Sequence, residues 1–294
     1  MVATLSLAGT YTALVTPFSE DGSAVDKVSL EKLVRFQLDA KVAGVVVCGS
    51  TGEASTLTDA EYLDVVSHVR SLTKGRVPCV AGVSVSATAR AVQIAHAVRE
   101  VGCDGILVAT PPYNKPSQAG IIAHLKAILA ASGLPLIAYN VPGRTGMGIA
   151  SATMGTLSRE GVVVGLKEAS GSVDHLADVM HAVEPTCQVV SGDDSLVLAA
   201  MAYGGVGVIS ASANALPREF VELTSSYASG DVARARKIQL DVLPKVRALF
   251  VEANPVPVKA VLAKMGIIAH ATVRLPLTPL SARSEEVVSE AFGL

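Results

Sequence analysis

The chain has 294 residues, 50% of them hydrophobic, with 24 Lys and Arg against 26 Asp and Glu and a formal charge of -2. Without a run of basic residues, that balance excludes an electrostatic footprint for nucleic acid or an anionic membrane and leaves a small molecule as the expected partner. The length suits one large α/β barrel or two ordinary domains, and a charged fraction of only 17% points to apolar surface covered by subunit contacts, hence an oligomer.

The N-terminal stretch is apolar but carries no basic residue before Lys27 and is interrupted by Gly9 and Pro17, which argues against a signal peptide. No other stretch is long enough to span a membrane, so the cytoplasm is the expected location. From there, short apolar runs alternate with longer amphipathic stretches, the pattern of βα units around a parallel sheet. Eight such runs cover residues 10–16, 44–48, 78–83, 105–109, 135–140, 162–167, 188–191 and 206–210. Between the first two, Leu30, Leu33, Val34 and Leu38 recur at helical steps. Eight strands predict a closed (β/α)8 TIM barrel. An open dinucleotide-binding sheet lacks its signature, because Gly205-Val206-Gly207 leads into a strand and has no third glycine. Helical stretches at 216–228, 231–252 and 255–265 and a final short helix follow, so the expected organisation is a catalytic barrel over residues 1–225 and a C-terminal helical segment over 226–294. Cys48, Cys79, Cys103 and Cys187 form no Cys-x-x-Cys and read as buried small hydrophobes.

In such a barrel the working residues lie where strands end and loops begin. The sixth run closes on Lys167, inside what reads as a buried strand; burial lowers an amine's pKa and makes it able to attack a carbonyl. The plain alternative is a strand-end lysine that reaches solvent or pairs with a carboxylate. After the second run, Gly49-Ser50-Thr51-Gly52-Glu53 offers turn amides and two hydroxyls that can cradle a carboxylate, or is simply a tight turn. Tyr139, ending the fifth run, can relay protons or merely line the barrel. Arg144, two residues after Pro142, is expected in a tight loop, gripping a substrate carboxylate or sitting in solvent. Thr110 to Asn114, including Tyr113, follow the fourth run, Ser191-Gly192-Asp193-Asp194 the seventh, and Ser210 the eighth. No metal site is expected, since the six histidines show no His-x-His or His-Glu-x-x-His spacing. Asp193 and Asp194 place negative charge beside Gly204-Gly205, where a barrel would bind phosphate. Gly49-Ser50-Thr51-Gly52 is not a nucleophile elbow, which leaves lysine as the best nucleophile.

At these residues the chain resembles the dihydrodipicolinate synthase family, the 4-hydroxy-tetrahydrodipicolinate synthases of lysine and diaminopimelate biosynthesis, within the superfamily of pyruvate-dependent Schiff-base lysine aldolases and lyases. The likeness spans nearly the whole chain. Gly49 to Glu53 and Gly165-Leu166-Lys167-Glu168 resemble superfamily-wide segments, whereas Tyr139 to Gly146 and Ser191 to Asp194 resemble the synthases' own Tyr-Asn-x-Pro-x-Arg-Thr-Gly and Ser-Gly-Asp-Asp. Ser50 departs from the usual second threonine but keeps the hydroxyl. The resemblance implies that Lys167 forms an imine with pyruvate, whose enamine adds to L-aspartate 4-semialdehyde held by Arg144. It implies a proton relay of Thr51, Tyr139 and Tyr113, pyruvate support from Ser50, and backbone contacts from Gly192 and Ile209. It further implies no metal or organic cofactor, Tyr113 reaching into a neighbouring subunit's site, and a homotetramer built from tight dimers. Two other readings stay open: an aldolase releasing pyruvate from a 2-keto-3-deoxy sugar acid or N-acetylneuraminate, and a catalytically silent barrel that only binds. Many members of the family are inhibited by lysine at a dimer-interface pocket. There Pro112 stands in place of a tyrosine, Arg90 in place of a glutamate and Ser86 in place of an asparagine, with Asp59 and Tyr62 where histidines often occur. Little or no inhibition is expected.

Overall fold

The computed structural model describes residues 5–294; the first four residues of the expected barrel segment lie outside the described residues. The apolar runs become eight strands, β1 (Gly9–Ala13), β2 (Gly44–Val47), β3 (Cys79–Gly82), β4 (Gly105–Ala109), β5 (Leu136–Asn140), β6 (Gly165–Glu168), β7 (Gln188–Ser191) and β8 (Gly207–Ser210). They pair in chain order, all parallel, and β8 returns to β1 through Gly9↔Gly207 and Thr12↔Ser210, closing a (β/α)8 barrel with helices between the strands.

Strand ends shift from the expected positions where something else captures a backbone amide. β1 stops at Ala13 because the Val15 N–H donates to Asn214 Oδ1 at 3.1 Å instead of to the ladder. β6 starts at Gly165 because the Val162 N–H is used to finish the preceding helix, donating to the Leu157 carbonyl at 2.9 Å.

Alternation along each strand sorts side chains into two apolar layers. Val46, Leu107, Ile137, Tyr139, Val190 and Ile209 meet inside the barrel with Tyr11, while Val45, Val47, Ile106, Leu136, Ala138, Leu166, Val189 and Val208 pack outward against the helices. The same parity turns Lys167 inward, since its neighbour Leu166 faces out. Leu5 and Leu7 belong to the inner layer and plug the barrel floor. Gln188 fixes them there, accepting the Leu7 N–H at 2.7 Å and donating to the Leu5 carbonyl at 2.8 Å. Gly165 has to be glycine at this level, because a Cβ would lie 2.4 Å from the Gln188 carbonyl oxygen and 2.6 Å from Leu7 Cδ1.

After β8 come the helices Pro217–Ala228, Val232–Ala248, Val256–Lys264 and Ala282–Phe292. The first is the eighth barrel helix: Thr10 of β1 donates its hydroxyl proton to the Phe220 carbonyl at 2.8 Å, and the expected barrel segment 1–225 ends inside this helix. The second crosses to the barrel mouth, where Gln239 Nε2 donates to the Asp194 carbonyl at 3.2 Å. The tail then folds back, and Arg274 donates to both carboxylate oxygens of Glu61 (2.6 and 2.9 Å) and to the Gly22 carbonyl at 2.8 Å. All four cysteines are buried and unpaired. Among the described residues, no helix is long and apolar enough to cross a membrane.

Candidate active site

Tyr139 and Lys167 are register partners on β5 and β6, both turned inward. The lysine Nζ therefore lies 4.4 Å from the centre of the tyrosine ring, with Lys167 only 6% exposed. Burial, opposed by Asp194 and aided by Arg144, lowers its pKa to about 8. An appreciable share of the amine is then unprotonated near neutrality, as a nucleophile requires. Burial pushes the Tyr139 phenol the other way, to about 12, so it stays protonated and can donate. Gly192, beyond the end of β7, gives the lysine its room: a Cβ there would sit 2.8 Å from both Cγ and Cε of Lys167.

Lys167 opens into a cavity of about 370 Å³ at the C-terminal end of the strands, lined also by Ser50, Thr51, Tyr139, Arg144, Gly192 and Asp194. Ser50 and Thr51 are presented by a turn in which the Gly52 N–H donates to the Gly49 carbonyl and the Glu53 N–H to the Ser50 carbonyl, at 3.1 and 3.2 Å. Glu53 anchors the turn from behind. Its Oε1 accepts from Lys259 Nζ at 2.6 Å and its Oε2 from the Arg274 N–H at 3.0 Å, with both side chains of the ion pair out of solvent. On the cavity side, Asn254 Nδ2 donates to Thr51 Oγ1 at 2.9 Å, which leaves the threonine hydroxyl proton free for a ligand.

Arg144 sits in a single helical turn, Pro142–Thr145, rather than the expected loop. Proline suits the first helical position because its missing N–H would be unpaired there, and Gly146 ends the turn in the left-handed region at φ 71°. The Arg144 guanidinium reaches the Asn254 carbonyl at 3.4 Å and otherwise faces the cavity. Six of the eight residues singled out in the sequence thus surround one space. The Ile209 side chain is fully buried in the inner layer of the barrel, and the contact expected of this residue is one of its backbone. Tyr113 does not join them: it is 91% exposed on a backbone with φ 71°. Asn254, Arg247 and Phe250 line the site without having been anticipated. They come from the C-terminal segment, and no local pattern in the sequence marks them.

A second cavity, of about 510 Å³, lies outside the barrel mouth and is lined by Asp59, Tyr62, Ser86, Arg90 and Pro112. Arg90 is paired with Asp59 and also donates to Gln93 Oε1 at 3.2 Å, while the Tyr62 hydroxyl donates to the Gly82 carbonyl at 2.8 Å. The arginine charge and the tyrosine proton are thus both engaged within the wall.

The family model described as the dihydrodipicolinate synthetase family matches residues 6–292. A 4-hydroxy-tetrahydrodipicolinate synthase from Trichlorobacter lovleyi is 43% identical over 277 residues, covering 94% of each chain. One from Pelobacter propionicus is 40% identical over 289 residues, 97% of this chain and 99% of its own. The solved structure of the 4-hydroxy-tetrahydrodipicolinate synthase from Methylacidiphilum fumariolicum superposes with a TM-score of 0.95 at 36% identity, covering 98% of this chain and 95% of that one. With the lysine, the hydroxyl turn and the arginine gathered at the mouth of the same barrel, the chain belongs to the dihydrodipicolinate synthetase family.

Proposed function

We propose that this chain is a lyase that condenses pyruvate with L-aspartate 4-semialdehyde, giving 4-hydroxy-tetrahydrodipicolinate through a Schiff base on Lys167. The observation that carries the reading is the buried amine of Lys167 at the floor of a cavity that holds two separate features for carboxylates, the Ser50-Thr51 turn and Arg144. A reaction joining two carboxylate substrates needs both.

Lys167 attacks the pyruvate ketone, and the carbinolamine loses water, its C–O bond breaking as the C=N bond forms. Tyr139, protonated, is placed to supply the proton that leaves with that oxygen. The iminium is the electron sink that lets the Tyr139 phenolate left by that step take up a methyl proton. The resulting enamine carbon adds to the aldehyde of the second substrate, whose oxygen receives that proton back and whose carboxylate Arg144 grips. Attack of that substrate's amine on the imine carbon expels Lys167 as a free amine and closes the ring. We assign Thr51 to the relay with Tyr139 and to pyruvate binding, Ser50 to pyruvate binding, and Gly192 to a backbone contact. Tyr113, extended on the surface of the single chain, fits a role in a neighbour's site within a homotetramer of tight dimers. As a biosynthetic enzyme it would work in the cytoplasm without a metal or organic cofactor.

An assay with pyruvate and aspartate semialdehyde, coupled to reduction of the product, tests the reading. Turnover is expected with that pair. Release of pyruvate from a 2-keto-3-deoxy sugar acid or N-acetylneuraminate, with no turnover of aspartate semialdehyde, would reassign the enzyme to the sugar-acid aldolases.

A further inference from the structure

Asp194 is the buried charge at this site that the mechanism above leaves idle. It is 2% exposed, follows β7 four residues after Val190, the register partner of Lys167, and lines the same cavity as the lysine. Its Oδ2 accepts the Ser212 N–H at 2.8 Å, and the Ser210 and Ser212 hydroxyls lie near enough to favour the carboxylate, whereas Oδ1 is buried with no hydrogen bond of good geometry among the described residues. A carboxylate oxygen enclosed without a donor is unfavourable unless a positive charge compensates it.

The groups that face Lys167 across the cavity can be taken element by element. Tyr139 and Arg144 come from β5 and the turn after it, Ser50 and Thr51 from the turn after β2, Asp193 and Asp194 from the loop after β7, and Arg247 from the helix Val232–Ala248. Asp193 is half-buried, and its Oδ1 is occupied by the N–H and hydroxyl of Ser195 at 3.0 and 2.8 Å. Glu168, next to Lys167 in β6, is turned outward by strand parity and accepts from Asn140 Nδ2 at 2.8 Å and the Ser170 N–H at 2.7 Å, with His175 beside it. Asp194 is therefore the buried carboxyl group that shares the cavity with Lys167. Burial drives Lys167 and Asp194 toward their neutral forms, and each opposes that drift in the other.

We propose that Asp194 is the electrostatic partner of Lys167, the carboxylate that keeps the imine nitrogen protonated, and so positively charged, once the amine has condensed with the ketone. The inference rests on the Schiff-base reading above. In that step amine, ketone and one proton give the protonated imine and water, and the imine remains the electron sink only while nitrogen keeps its remaining proton, which a nearby carboxylate favours. A carboxylate at this position favours the iminium, and by the same interaction it holds the proton of the free ammonium more tightly. Asp194 acts through Lys167, and two opposite effects follow from removing its charge.

The test is borohydride trapping of the pyruvate adduct on the full chain, read by mass, across about pH 6 to about pH 10, which brackets the shifted amine. Asp194→Asn keeps an oxygen for the Ser212 N–H. It should move the midpoint of adduct formation down by about one pH unit or more. Above that midpoint, at sub-saturating pyruvate, it should cut the trapped yield about tenfold, the equivalent of one such unit. Asp194→Glu, which keeps the charge, should stay near the wild-type midpoint. If circular dichroism shows that the Asn variant is unfolded, Asp194→Ser removes the charge from a smaller side chain and should give the same shift. Wild-type labelling on Lys167 combined with an unchanged pH curve and yield in the neutral variant overturns the inference. No labelling of the wild type at all overturns the Schiff-base reading instead.

Discussion

Lys167 and Lys259 are both enclosed, and burial pushes both amines down to about 8, yet their surroundings differ in the way that decides reactivity. Lys259 donates to Glu53 at 2.6 Å, lies 4.2 Å from the centre of the Phe18 ring, is 0% exposed and lines neither of the two cavities described above. Among the described residues no group hydrogen-bonds Lys167 Nζ, which opens onto the space where a ketone can sit. Opposite it, the Arg144 guanidinium makes one hydrogen bond among the described residues, to the Asn254 carbonyl at 3.4 Å, and so has donors to spare for a ligand. Arg144→Ala should therefore leave pyruvate adduct formation close to wild type. Turnover of aspartate semialdehyde should drop by about two orders of magnitude, as expected for loss of a charge-assisted bidentate contact. Parallel trapping and steady-state assays check this, and equal loss of both half-reactions would make the arginine a structural residue.

At the level of elements, the C-terminal segment holds the substrate turn in place. Glu53, Lys259, Phe18, Arg274 and Glu61 form a continuous cluster in which Arg274 lies 4.3 Å from the centre of the Phe18 ring and ties the tail to the Glu61 carboxylate. Lys259→Met fills similar space but strands a buried carboxylate, and should destabilise the fold by about 3–5 kcal/mol, read as a lower urea midpoint. An unchanged midpoint would mean that Glu53 takes up a proton at little cost. The eight strands were legible because each is a short apolar run with turn residues at its end, and strand parity carried Lys167 inward. Their ends were less so, since Asn214 and Leu157 take amides of Val15 and Val162 from outside the runs. Pro142-Gly143 reads locally as a loop, but it winds into a helical turn that Gly146 terminates. Asn254 reaches Thr51 across a separation of 203 residues, a contact that no periodicity can announce. The unpartnered oxygen of Asp194 was equally invisible, because it is defined by what fails to surround it.

For the whole molecule, the exposed Tyr113 and the second cavity lead to separate expectations. A tyrosine 91% exposed, held in the left-handed region at φ 71°, is costly on a free surface and suited to insertion into a neighbour. Tyr113→Phe and Lys167→Ala, each inactive alone, should regain part of their activity when mixed under conditions that exchange subunits. No recovery in demonstrably mixed oligomers would place the relay within one chain. In the second cavity, Pro112 offers no side-chain donor, and Arg90 presents a cation, paired with Asp59, where an effector ammonium would have to approach. L-lysine should therefore have little or no effect on turnover at sub-saturating pyruvate. Saturable inhibition below about 1 mM, a binding energy of about 4 kcal/mol, would show that other groups in the wall hold it.

The central claim is that Lys167 is the nucleophile, and peptide mass mapping after treatment with pyruvate and borohydride tests it most directly. The account predicts a single reduced adduct on Lys167, its yield rising with pH through about 8 as the ammonium loses its proton, with Lys259 unlabelled despite an equally lowered pKa. A label on Lys115, Lys259 or Lys264, or no label at any pH, would contradict it.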